Sequence, residues 1–125
     1  MAIANPQSAK VQKYDLEERT YNFAKRVRSF AKKIPRNTSN TEDLKQLIRS
    51  SGSVAANYIE ANESLGKKDF LMRLKICRKE SKESTLWLKL LDVGSDSALE
   101  KELQDLITES KEFLYIFSAI IQKSS

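Results

Sequence analysis

The chain has no histidine, one cysteine, two prolines and three glycines in 125 residues. Each scarcity excludes something. Without histidine there is no usual general base, no histidine-dependent serine or cysteine triad, and no ordinary zinc or di-iron bundle site. A single thiol, Cys77, cannot close an internal disulfide and fits a reducing cytoplasm. So few helix breakers suit long helices joined by short loops. The most apolar stretch, Phe113 to Ile121, is too short to span a bilayer and is interrupted by Ser118. The opening Met-Ala-Ile-Ala-Asn-Pro lacks the basic start and apolar core of a signal peptide. The expectation is a cytoplasmic protein that does not enter a membrane.

Charge is what the chain has in quantity. Its 22 lysines and arginines exceed 17 acidic residues, for a net charge of +5. That balance favours polyanions as partners, although the signs are interspersed and an ordinary solvated surface is the competing reading. The length fits one domain with a core of its own.

Apolar periodicity predicts an all-α fold with helices at about 15–34, 41–64, 68–92 and 98–122. They form one bundle domain over 14–125, after a flexible tail, 1–13. In the first helix Leu16, Phe23, Val27, Phe30 and Ile34 share a face, and Pro35 stops it. The second has Leu44, Leu47, Ile48, Val54, Ala55, Tyr58 and Ile59 on its inner face, with Ser39 or Thr41 as cap. Its small-residue run Ser50-Ser51-Gly52-Ser53 suits close approach of a neighbouring helix, since a mid-helix glycine costs about 1 kcal/mol against alanine. Gly66, able to turn left-handed, ends it. Ser97 with Glu100 reads as a capping box for the fourth helix, whose single face runs from Leu99 to Ile121. Short connections make neighbouring helices antiparallel, an up-down-up-down bundle.

The third helix is the most informative. Phe70, Leu74, Cys77, Ser81, Leu88 and Leu91 form one apolar stripe; Met72, Ile76, Trp87 and Leu90 form another, a quarter to a third of a turn away. A lone small bundle needs only one such face per helix, so the second predicts an interface with another copy. Lys68, Lys75, Lys82 and Lys89 recur at seven-residue spacing, with Arg78 and Lys79 beside them. At ~1.5 Å per residue this rail spans roughly 30 Å, enough to follow phosphates. Lys25, Arg28 and Lys32 line the outer side of the first helix, with Arg36 beyond. The rail lacks aromatic residues on which bases could stack.

Three further groups invite chemistry and fit it poorly. Asn57 and Glu60 lie one turn apart, off the main apolar face. They suit a structural polar network with Arg73 better than a ligand site. Glu60, Glu80 and Glu83 resemble paired carboxylates, but no histidine completes a metal site, and Lys79 and Lys82 would keep Glu80 and Glu83 ionised and solvated. Cys77 reads as a buried small thiol. No enzyme activity and no cofactor are expected.

The run Ser53-Val54-Ala55-Ala56-Asn57-Tyr58-Ile59-Glu60, small residues followed by Asn-x-x-Glu, resembles the proteins encoded in intervening sequences of bacterial 23S ribosomal RNA genes. Lys79-Glu80-Ser81-Lys82-Glu83-Ser84-Thr85-Leu86-Trp87-Leu88 resembles that family's second block. The likeness runs from Tyr14 to Ile121, and departs from the usual pattern at Tyr58 and Gly66. It implies a left-handed four-helix bundle assembled as a ring-like homopentamer, with no enzymatic activity. A more distant likeness, to the accessory protein of diversity-generating retroelements, implies a basic pentamer that works with RNA and a reverse transcriptase. Two expectations of function follow: an accessory ring that binds RNA or DNA, or an oligomeric scaffold for protein partners.

Overall fold

A computed structural model describes the backbone from Pro6 to Ser125 and the side chains from Leu16 onward. It is all-α. The helices are α1 (Pro6–Ala31), α2 (Thr38–Asn62), α3 (Lys67–Leu90) and α4 (Ser97–Ser124). Helix α1 begins at Pro6, where a missing N–H costs nothing, rather than at Asp15. Of the expected tail, residues 1–5 lie outside the described residues.

Each helix packs on two others: α1 on α2 and α4, α3 on α2 and α4. Helices α1 and α3 are diagonal and do not touch among the described residues. The core between them is filled by Phe23, Val27 and Phe30 from α1, Leu47 and Val54 from α2, Leu74 and Leu88 from α3, and Leu106, Phe113 and Phe117 from α4, all fully buried. Phe23 meets Phe113 edge to face at 5.4 Å, an arrangement aromatic rings favour. The inner stripe predicted for α3 faces this core, with Phe70 half-buried at its end. One member of the predicted α2 face departs: Ile59 is 50% exposed.

The helix ends differ from expectation, and the backbone explains how. Helix α1 stops at Ala31 and closes with a tight turn, Lys33 N–H donating to Phe30 O at 2.9 Å, before Pro35 is reached. The cap of α2 is Asn37, extended, whose Oδ1 accepts from Asn40 N–H at 2.8 Å; Ser39 and Thr41 are already outside that geometry. For α4 the cap is Asp96, accepting from Ala98 and Leu99 N–H at 3.0 and 3.1 Å, in place of Ser97. Gly66 is not left-handed: it is the extended N-cap of α3. The left-handed turn is at Gly94, φ 73°, where Gly94 N–H donates to Asp92 Oδ1.

Asn40 is buried and joins two loops. Its Nδ2 donates to Pro35 O at 2.9 Å and to Asp92 O at 2.8 Å, while Oδ1 accepts from Asp92 N–H at 3.0 Å. At the opposite end Asn62 Nδ2 donates to Glu17 Oε2 at 2.6 Å, tying the end of α2 to α1. No described helix is long and apolar enough to cross a membrane.

Candidate nucleic-acid interface

Helix α3 turns its inner stripe to the core, so its other side faces out. Lys68, Lys75, Lys82 and Lys89 are all exposed, and among the described residues none of them makes an ion pair. A heptad repeat drifts only ~20° per seven residues on a straight helix, which keeps the four in line. Lys79 is exposed and approaches Glu80 at 4.0 Å; Arg78 is half-buried.

The second apolar stripe divides in two. Met72 and Leu90 are 46% and 53% exposed, and Leu86, absent from the expected set, is 48% exposed beside them. Ile76 is half-buried, and Trp87 packs against the core, its indole Nε1 buried without a hydrogen-bond partner. The open apolar surface of α3 is therefore Met72, Leu86 and Leu90. Helical angles alone do not reveal this, because they do not say how deeply each flank of the helix sits in the bundle.

The seam between α2 and α3 is polar and closely fitted. Arg73 Nη1 donates to Asn57 Oδ1 at 3.0 Å, and Asn57 Nδ2 turns back to Ser53 O and Oγ. Glu60 is not part of that network; its side chain is exposed. Ser50 and Ser84 share a hydrogen bond at 2.8 Å, possible only where two helices come close. Glu80 is buried, contrary to the solvated carboxylate expected: Arg49 of α2 reaches it at 3.1 Å and Glu83 at 3.2 Å. The hydrogen bond to Glu80 raises the Arg49 pKa. Cys77 is buried, as expected, and burial pushes its thiol up to about 12, so it is no nucleophile.

The first-helix cations do not join the α3 rail. Arg28 hydrogen-bonds the carbonyls of Ala24 and Ile48, and its guanidinium fills the space beside Gly52, 3.2 Å from where a Cβ would stand. The small-residue run of α2 thus accommodates the Arg28 side chain on one side and the serines of α3 on the other. Lys25 lies over the Tyr21 ring at 5.5 Å, and Lys32 and Arg36 are exposed. Because α1 is diagonal to α3, these cations occupy the opposite corner of the bundle.

No cluster of groups suited to a metal occurs among the described residues. A cleft of about 1150 Å³ at one end holds Tyr58, Phe70, Ile116 and Ile120, with Lys67 and Lys123 at its margin. It brings together no acid–base pair.

Four long helices around one core, with a row of free lysines on one outer face, define a small all-α protein consistent with a four-helix bundle. The chain belongs to the 23S rRNA-intervening sequence protein family, whose pattern matches residues 12–119. It is similar to a solved protein of unknown function from the S23 ribosomal protein family of Bacteroides thetaiotaomicron VPI-5482. The two are 25% identical, with a TM-score of 0.71 over 85% of this chain and 97% of that one. No curated protein matches the chain.

Proposed function

We propose that this chain is a non-enzymatic, cytoplasmic, up-down-up-down antiparallel four-helix bundle that assembles with copies of itself, as a pentamer, and binds nucleic acid. The contact of Glu17, in the first half of α1, with the end of α2, and that between the start of α2 and the residue after α3, support the antiparallel order. Met72, Leu86 and Leu90, exposed on one helix face, support assembly. The observation that carries the binding is the row Lys68, Lys75, Lys82 and Lys89, exposed and, among the described residues, in no ion pair. Lysine on phosphate brings charge and little base information, so weak sequence preference is expected.

Fluorescence anisotropy with structured RNA and with single-stranded DNA tests this reading. Four phosphate contacts per site predict a loss of roughly a hundredfold in affinity between 50 and 200 mM salt. Lys75→Glu with Lys82→Glu should abolish binding at low salt without changing oligomer size. Met72→Glu with Leu90→Glu should give monomers in sedimentation with helix content intact. No binding at low salt would leave the α3 face as a scaffold for protein partners, and a monomeric wild type would remove the assembly.

A further inference from the structure

Charge in this chain is sorted by helix. Helix α3 carries eight cations and three carboxylates; α1 carries six cations and three carboxylates, and three more cations, Lys32, Lys33 and Arg36, follow in the turn after it. The other two helices lean the opposite way, three carboxylates to two cations in α2 and five to three in α4. The cationic helices are diagonal, and the acid-rich ones occupy the corners between them. From Arg19 to Thr41 there is no acidic residue at all.

Some cations of α1 and of the turn after it are committed elsewhere. Arg19 pairs with Glu109 and Glu112, Lys33 with Glu102, and Arg28 binds backbone carbonyls. Lys25, Arg26, Lys32 and Arg36 remain exposed, none of them in an ion pair among the described residues. Beside Lys25 stands Tyr21, 55% exposed, an aromatic face that the α3 rail lacks. The two surfaces are separated by roughly two helix diameters, on the order of 20–25 Å, and point away from each other. A polyanion lying on one would have to cross the carboxylates of α2 or α4 to reach the other, which like-charge repulsion opposes.

We propose that the chain bridges two nucleic-acid segments, one on the α3 rail and a second on the outer face of α1. The inference rests on the reading of the α3 rail above and adds a second, independent surface. It also gives the charge sorting a consequence: a binder with one face would gain nothing from a cationic helix on its far corner. The α1 contact would tolerate unpaired bases, because Tyr21 offers a stacking surface beside Lys25.

The test uses a biotinylated RNA duplex on beads and a fluorescent duplex of unrelated sequence in solution, at low salt. Wild type should carry the second duplex onto the beads. Lys25→Glu with Lys32→Glu should bind a single duplex in anisotropy within about threefold of wild type, yet lose capture at least about tenfold. Lys25→Arg with Lys32→Arg should retain capture. Both changes are at exposed positions, and circular dichroism checks that the helices persist. If the glutamate variant captures like wild type, bridging arises between α3 rails of different copies and the α1 surface is not involved. Wild-type binding without capture would overturn the bridge and leave the α3 rail standing. No binding to either duplex would remove both.

Discussion

The seam between α2 and α3 and the seam between α1 and α4 are built on opposite principles. Across the first, Ser50 meets Ser84 and Cys77 Sγ approaches Val54 O at 3.6 Å, so small side chains let the backbones close up. Polar groups are buried as a result, including Glu80. Across the second, Phe23 and Phe113 fill the space between the helices, which among the described residues lie close over far less of their length. There the links are long-armed: Arg19 to Glu109 and Glu112, and Lys33 to Glu102 at 2.7 Å. Small residues thus determine where charge ends up inside the protein, and large ones leave it at the rim.

The most damaging substitution should be Ser84→Leu. It forces a branched side chain into the narrow seam and strips Ser50 of its partner, at a cost of about 3 kcal/mol in urea unfolding. A change below ~1 kcal/mol would mean that α2 and α3 can move apart freely, and the contrast between the seams would collapse. Next in size is Arg49→Ala, which leaves the buried Glu80 carboxylate with only Lys79 at 4.0 Å; about 2 kcal/mol is expected. Its counterpart on the open seam, Lys33→Ala, should cost under ~0.5 kcal/mol because that pair is half in solvent. Equal losses in the two variants would show that burial does not separate them.

A smaller effect concerns alkaline pH. Burial raises the Cys77 thiol from 9.0 to about 12, so between these values the unfolded chain ionises while the folded one holds its proton. The unfolded state then binds fewer protons, and stability falls as pH rises through that window. Tyr58, lifted by burial from 10.0 to about 12, adds to the decline at its upper end. Cys77→Ser should remove about 1 kcal/mol of the loss between pH 8 and pH 10, measured by thermal melts. Identical pH profiles for the two proteins would mean that the thiol reaches water.

The elements themselves were legible from the sequence. Apolar spacing located all four helices, with Phe23, Val27 and Phe30 inward in α1 and Leu74, Cys77 and Leu88 inward in α3. Neighbouring lysines made Glu80 look solvated because its partner, Arg49, lies 31 residues away, beyond any local pattern. Local pattern places the caps one to four residues late where several oxygen-bearing side chains stand together: Asn37, Ser39 and Thr41 compete, and only the extended backbone at Asn37 decides. Trp87 shows the limit of helical angles. They put it on a face with Met72 and Leu90, and do not show that it packs against the core. The two cationic helices were each visible in the sequence; their diagonal placement was not.

Asn40 couples parts of the chain that are far apart in sequence. Helices α1 with α2, and α3 with α4, are sequence neighbours and can pair early, since short loops close at little entropic cost. The bond of Asn40 to Pro35 spans five residues and lies within the first pair, whereas its two bonds to Asp92 span 52 and close only when the two helix pairs have met in register. One amide side chain therefore reports docking at that end. Slow hydrogen exchange at the Asp92 N–H would mark the moment at which two helical hairpins become a single cooperative unit.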